Sequence, residues 1–370
     1  MRVYLLALML AAAVTYLATP ITRRTALAWG AITAVRERDV HVEPTPRLGG
    51  MAMYVGLVSA VLLVSGLPFL DPVFDNPRPL LGIVGGAGLV CLLGMADDVW
   101  DLDWLTKLIG QVLAAGFLAW QGVLLYQMPL FGVTAWSSRV SIFVTVLTVV
   151  VAMNAVNFVD GLDGLAAGVL AIGGTAFLGY SYLLTATTRE DYASLSTLVL
   201  ALLVGMCVGF LPHNLYPARI FMGDSGAMLL GFVIAAAAIV VTGQIDLQTV
   251  TPRASFPAFL PMLLPVAVLM LPLLDMAMAV VRRVGAGRSP FHPDRLHLHH
   301  RLLALGHSHR RAVAIMYLWT IVFAFGAMAL VAFSTTVVLI AMGVASVLAT
   351  MLTLGPLRGR SVPDRAEVAP

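Results

Sequence analysis

Charge is scarce in this sequence. Only 11% of its 370 residues are Asp, Glu, Lys or Arg, where a soluble domain carries about 25%. A chain that is 60% hydrophobic, with a mean hydropathy of +0.93, must set most of its surface against lipid or other apolar helices, and this excludes an ordinary soluble fold. Cysteine is almost absent. Cys91 and Cys207 lie far apart inside apolar runs, without the spacing of a redox or zinc pair, so packing is their expected role. No 20–50-residue repeat, low-complexity tract or separate soluble domain is visible. The net charge of +3 does not point to nucleic acid, because the basic residues sit in loops between apolar spans.

What the sequence does have is apolar runs of a span's length, about 20 residues. They fall near residues 2–20, 48–68, 80–96, 106–125, 139–156, 163–185, 194–212, 225–242, 256–281, 312–332 and 334–354, which makes eleven. Glycine and alanine recur within them, as close approach of helices in lipid requires. The stretch Leu5 to Leu17 lacks a strongly basic leader and is read as a retained first span. The expected architecture is all-α: a polytopic transmembrane bundle forming one integral membrane domain over residues 1–354, with a flexible cytoplasmic tail over 355–370.

Arginine counting orients the bundle. Arg23, Arg24, Arg36, Arg38 and Arg47 follow the first span, seven arginines lie between Arg282 and Arg311, and Arg358, Arg360 and Arg365 lie in the tail. Loops on the other side carry Arg78, Arg139, Arg189 and Arg253, one apiece. The positive-inside rule then puts the N-terminus outside and the C-terminus in the cytoplasm. Alternate loops become cytoplasmic, and these are the chemically unusual ones: His41–Gly50, Asp97–Lys107, Asn154–Gly164, His213–Gly226 and Arg282–Arg311.

Four of these loops carry concentrated polar chemistry. Asp97, Asp98, Asp101 and Asp103 are four acids in seven residues at a membrane boundary. Adjacent carboxylates there need a cation or water, and hard divalent cations prefer such ligands; a solvated acidic loop is the plainer reading. Asn154, Asn157 and Asp160 recur at intervals of three, on one helix face, and Asp163 follows between glycines. Such amides and carboxylates suit a nucleobase or ribose, and equally an interhelical hydrogen-bond seam. After Asn214 comes Gly-Asp-Ser-Gly at 223–226, where Asp224 and Ser225 combine exposed amides with a carboxylate, or simply cap a helix. Six of the eight histidines lie between His292 and His309. Without cysteine partners or an HExxH arrangement, they read as a phosphate-binding loop rather than a zinc site. His307, His309, Arg310 and Arg311 fit a basic loop facing lipid headgroups. In the fifth loop the prolines and paired glycines before residue 51 fix an extended segment around Arg47, which serves phosphate or anchors the span. Asp275, inside an apolar run, is expected to face the bundle interior and to support an arginine or a site residue.

Taken in order, the segments HVEPTPRLGG, GMADDVWD, NAVNFVDGLDGLAAG, NLYPARIFMGDSG and SPFHPDRLHLHHRL resemble the polyprenyl-phosphate N-acetylhexosamine-1-phosphate transferase family of bacterial cell-envelope synthesis. The last segment lacks the Pro-x-His-His-His run of the phospho-MurNAc-pentapeptide branch. It is similar to the branch that transfers GlcNAc-1-phosphate to undecaprenyl or decaprenyl phosphate.

The resemblance implies an enzyme that takes a UDP-sugar and a polyprenyl phosphate at the cytoplasmic face of the inner membrane, releases UMP and begins an envelope glycopolymer. It implies Mg2+, with Mn2+ as a substitute. Asp224 would be the principal metal ligand, and Asp97 and Asp98 would handle the lipid phosphate, with Asp98 completing the metal site. Asn154, Asn157, Asp160, Asp163 and Asn214 would bind the nucleotide sugar. Arg47, His292, Arg295, His297, His299, His300 and Arg301 would hold diphosphate or sugar. Direct attack by the lipid phosphate is preferred over a phospho-aspartate route, which stays open. The pentapeptide transferase is the competing enzyme. A secondary transporter is the competing non-enzyme, disfavoured because the acids sit at one interface and no inverted repeat is visible. A homodimer is the further partner expectation; no nucleic acid is expected.

Overall fold

The computed structural model describes residues 1–32, 45–128, 134–188, 191–243, 263–287, 289 and 297–355. The helices are α1 (Arg2–Trp29), α2 (Gly49–Val64), α3 (Asp71–Asp75), α4 (Pro77–Trp100), α5 (Trp104–Trp120), α6 (Ser138–Val159), α7 (Leu165–Thr188), α8 (Asp191–Asn214), α9 (Gly223–Gly243), α10 (Met270–Gly285), α11 (Leu298–Ala304), α12 (His309–Ala329) and α13 (Thr335–Leu354). Among the described residues the only strand pairing is Gln127–Met128 with Thr134–Ala135. The all-α expectation holds.

Each of the eleven apolar runs coincides with a helix, the run 256–281 being described only from residue 263. Eight described helices are long and apolar enough to cross a membrane. Two runs make shorter helices. α2 has 16 residues and then turns through 105° into the segment Pro68–Asp75, where Pro68 and Pro72 break continuity. α5 has 17 residues, because Gly122 at φ 93° ends the helical path.

Contacts bring the C-terminal ends of α1, α4, α6, α8 and α10 together with the N-terminal ends of α2, α5, α7, α9 and α12: Arg23 donates to the Arg219 carbonyl, Gly49 to that of Phe221 and Gly164 to Asn214. The last helix ends there too: His307 Nε2 lies 2.8 Å from the Thr353 carbonyl oxygen and Arg311 donates to that of Gly355. At the other end of the bundle Tyr4 packs edge-on against Phe69 and Tyr182, at 5.7 and 6.3 Å. The beginning of α1 and the end of α13 thus lie at opposite ends. The expected headgroup-facing role of His307 and His309 does not hold. Both are buried, because α13 covers the first, while the second stacks 4.5 Å from the Tyr216 ring.

α9 is the centre of the bundle. Along its apolar stretch 89% of residues are buried, against 11% for α13. It packs against α2, α4, α6 and α8, and its small residues let four helices close on it. The tightest point is its first turn. A Cβ on Gly50 would lie 2.5 Å from the Ser225 carbonyl oxygen, and one on Gly94 2.6 Å from the Asp224 carbonyl carbon. Only glycine lets α2 and α4 reach the beginning of α9.

Candidate active site

The acidic cluster after α4 divides into two pairs with different work. The helix ends at Asp101, whose φ of 52° turns its amide back to the Asp97 carbonyl at 2.8 Å. Asp103 then caps α5, its Oδ1 accepting the amides of Leu105 and Thr106 at 2.9 and 3.1 Å. The Thr106 hydroxyl and amide hold this exposed carboxyl below the usual range. Asp97 and Asp98 are buried in the last turn of α4.

Asp98 is spent on backbone. Its Oδ1 accepts the Asp224 amide at 2.9 Å and its Oδ2 the Ser225 amide at 3.2 Å. It caps α9 from another helix, a favourable charge at a helix N-terminus. Gly223 makes the approach feasible: its φ is 70°, and any side chain there would meet the Asp98 carboxylate.

Asp97 and Asp224 share one cation. Lys107 Nζ lies 2.7 Å from Asp97 Oδ2 and 3.3 Å from Asp224 Oδ2. The same Asp224 oxygen accepts from Asn157 Nδ2 at 3.3 Å. Asp97 Oδ1 accepts the Leu102 amide at 2.8 Å. Two carboxylates from α4 and α9 thus converge on one positive charge from α5, and lie close enough to hydrogen-bond each other.

Beside this bridge opens a cavity of about 220 Å3 lined by Arg47, Asn157, Asp160, Gly161, Leu162, Asp163, Asn214, Phe221, Gly223 and Asp224. Its rim is tied by backbone. Phe221 donates to the Pro46 carbonyl at 2.8 Å, and Gly49 and Gly50 donate to those of Phe221 and Met222, each at 3.1 Å. Asn214 accepts the Gly164 amide and donates to the Ile220 carbonyl, both at 3.0 Å, while Asp163 Oδ2 accepts the Ala218 amide at 2.9 Å. The loops bearing Arg47, Asp163 and Phe221 are therefore one stitched unit.

Burial raises the Asp160 carboxyl to about 7, the charges of Asp224 and Asp98 adding to the shift and Arg47 opposing it. Because this pKa exceeds the ordinary carboxylate value, the folded state binds the proton more tightly than the unfolded state. Stability is then undiminished below about pH 4 and is lost as pH rises towards 7. Asp160→Asn removes that loss. In detergent and EDTA, its melting temperature should exceed that of the wild-type protein by several degrees at pH 8 and by nothing at pH 4. A pH-independent difference would refute the assignment.

A second opening, of about 490 Å3, lies between α5, α6 and α10, where Trp104, Leu108, Val150, Val151 and Met276 form a mostly apolar groove ending at Lys107 and Asn157. Asn154 belongs to this groove and not to the first cavity. Its Nδ2 donates to Gln111 Oε1 at 2.7 Å and to the Val150 carbonyl at 2.8 Å, the interhelical seam that its spacing also allowed.

The histidine segment forms a wall behind Gly161. His299 is buried, and its ring packs where a Gly161 side chain would stand. Burial lowers its imidazole to about 3, with His300 contributing, so it is neutral at pH 7. His297 stacks on His299 at 5.6 Å and meets the Phe158 ring edge-on at 5.3 Å. His300 lies 4.3 Å from His299. Arg301, by contrast, is exposed, and neither it nor His297, His299 and His300 is among the residues lining the two openings; the histidines stand behind Gly161, which does line the first. His292 and Arg295 lie outside the described residues.

Lys107, Gln111 and Phe221 are the site residues that sequence reasoning missed. Lys107 had a signal, since it is the one lysine among 22 basic side chains. Phe221 sits within a quoted motif but reads as an ordinary apolar residue.

The profile of glycosyl transferase family 4 matches residues 80–242, from α4 to the end of α9. The chain is 46% identical to the decaprenyl-phosphate N-acetylglucosaminephosphotransferase of Mycolicibacterium smegmatis, over 96% of this chain and 89% of that protein. It is 44% identical to the protein of the same name from Mycobacterium tuberculosis H37Rv, over 95% and 88%. A probable undecaprenyl-phosphate N-acetylglucosaminyl 1-phosphate transferase of Bacillus subtilis is 31% identical over 84% and 80%.

Proposed function

Because the chain belongs to glycosyl transferase family 4, we propose that it transfers N-acetylglucosamine-1-phosphate from UDP-N-acetylglucosamine to a polyprenyl phosphate, releasing UMP, at the cytoplasmic face of the bacterial inner membrane. The observation that carries this reading is the Asp97–Lys107–Asp224 bridge, set between a polar cavity and an apolar groove. A soluble, charged donor suits the first opening. A prenyl chain suits the second, with its phosphate drawn to Lys107 at the groove's end.

Mg2+, with Mn2+ as a substitute, fits the donor set. Among the described residues no three acidic, histidine or cysteine side chains converge on one point, and a magnesium ion is commonly held by one or two carboxylates plus water and substrate phosphate oxygens. The Lys107 ammonium already marks a point between two carboxylates that favours positive charge. Asp224 and Asp97 would hold the ion; Asp98, expected to complete the metal site, has both oxygens on α9 amides and instead fixes Asp224 in place. When bound, the ion neutralises charge on the diphosphate and on the departing UMP.

The chain's own residues do the rest. Asn157, Asp160, Asp163 and Asn214 present the donors and acceptors that ribose and uracil need, and Phe221 supplies the one aromatic face among the lining residues. Arg47 and the histidine wall suit the diphosphate and sugar. A lipid phosphate is largely ionised near neutral pH, so Asp97 Oδ2 has at most a residual proton to accept, and direct attack suffices. The relatives' names and the lack of a Pro-x-His-His-His run favour N-acetylglucosamine over phospho-MurNAc-pentapeptide.

Exchange of labelled UMP into UDP-N-acetylglucosamine by purified protein, dependent on polyprenyl phosphate and Mg2+, is the expected result. Exchange that is absent, or that needs UDP-MurNAc-pentapeptide instead, would overturn the proposal.

A further inference from the structure

α10 carries a single acid, Asp275, and it is completely buried. A carboxylate so placed is costly unless its oxygens are well partnered. Its Oδ1 accepts the Leu298 amide at 2.9 Å, and its Oδ2 lies 3.2 Å from His297 Nδ1. Both partners belong to the beginning of α11. His297 is the N-cap residue of that helix, in extended conformation, and its own side chain makes no capping bond. Asp275 therefore caps α11 from a different helix and grips the capping residue's ring at the same time.

The chemistry of the pair fixes the ring's hydrogens. A carboxylate only accepts, so Nδ1 of His297 must carry a hydrogen, which leaves Nε2 as the ring atom open to another partner. The ring is also fixed in orientation, lying nearly parallel to His299 with 5° between planes and edge-on to Phe158. Phe158 precedes Asp160 by two residues, and the Arg283 guanidinium of α10 lies over the same ring, 5.4 Å from its centre. His299 is kept neutral by burial.

We infer that Asp275 is a positioning residue for the transfer reaction, holding His297 in the Nδ1–H form and anchoring the first turn of α11, so that Nε2 of His297 serves the donor's diphosphate or sugar. The inference rests on the transferase reading proposed above, which supplies an anionic group for Nε2. Carboxylates that orient a metal-bound imidazole through the same bond matter by about one to two orders of magnitude, which sets the scale here.

Asp275→Asn separates positioning from capping. Asparagine keeps the size and the acceptor for Leu298, but sets an amide donor against Nδ1 and so demands the opposite tautomer. With purified full-length protein in detergent, Asp275→Asn should lower kcat/KM for UDP-N-acetylglucosamine by about 10–100-fold with a melting temperature near that of the wild type. Combined with His297→Ala it should add no further loss. Nitrogen-15 NMR of labelled histidine, with His297 assigned by substitution, should show Nδ1–H in the wild-type protein and Nε2–H in Asp275→Asn. The NMR result reads the pair whether or not the chain transfers GlcNAc-1-phosphate. Wild-type kcat/KM in Asp275→Asn, multiplicative losses in the double variant, or an Nε2–H tautomer in the wild-type protein would each overturn the inference.

Discussion

Asp224→Asn should leave a folded protein whose kcat is lower by about 1,000-fold, the scale on which removing one preorganised charge from a transition state is felt. The substitution preserves shape. α9 is held by its backbone, because Asp98 bonds the amides of residues 224 and 225 and not the Asp224 side chain. What disappears is the negative charge that faces Lys107 and Asn157. The melting temperature should therefore stay within a few degrees of the wild type. Asp103→Asn is the matched control from the acidic cluster. That residue is exposed and bonded only to its own helix start, and asparagine caps helices about as well as aspartate, so kcat should be unchanged. Steady-state rates for both variants with saturating donor and carrier decide the matter. Comparable losses in the two, or more than a tenth of wild-type activity in Asp224→Asn, would remove Asp224 from its proposed place.

Gly94→Ala should damage fold and activity together. Its new methyl group would sit 2.6 Å from the Asp224 carbonyl carbon, and backbone cannot rotate aside as a side chain can. Forcing such contacts into a packed interior costs about 1–3 kcal/mol. Relief requires α4 and α9 to part, which shifts Asp97 and Asp98 relative to Asp224. Displacement of a reacting group by about 1 Å can reduce turnover some 100-fold. Gly116→Ala is the comparison, since a Cβ there meets nothing within 4 Å, and helix propensity favours alanine. Melting temperatures and turnover of the two variants should differ sharply. Equal behaviour would mean that the helices are not so closely seated.

The fold was legible because its signal is coarse. A 20-residue apolar run needs no partner to declare itself, and all eleven coincide with helices as far as these are described. Alternating direction then brings the polar loops to one end, so the meeting of Pro46, Asp97, Asn157, Asn214 and Asp224 follows from chain order alone. Side-chain assignments within that end were less legible, since each depends on where a helix stops. Asp101 and Asp103 looked equivalent to Asp97 and Asp98 until the turn at Asp101 set them outside the bundle. Asn154 shares a helix face with Asn157, yet one turn of depth gives it to Gln111. Lys107 falls both at the end of the acidic loop and second in the run 106–125, where it reads as a boundary residue. Arg301, counted with the histidines, is carried by the short α11 to the exposed side. Asp275 was rightly expected inside, but its partner His297 is 22 residues away, beyond any local pattern.

The two sides of the active site are fastened very differently, and this bears on how such a chain can evolve. The floor hangs from α9, the most buried helix, whose first turn is hemmed by glycines of α2 and α4. Almost any change there is felt in four neighbouring helices, so selection has little to work with. The histidine wall stands on the seven residues of α11, tethered to α10 by one carboxylate. It meets the floor through His299, whose ring packs on Gly161, so a change there reaches fewer helices than one at the beginning of α9. A lineage that keeps one phosphoryl-transfer chemistry while changing the sugar it accepts would accumulate its differences in that wall first.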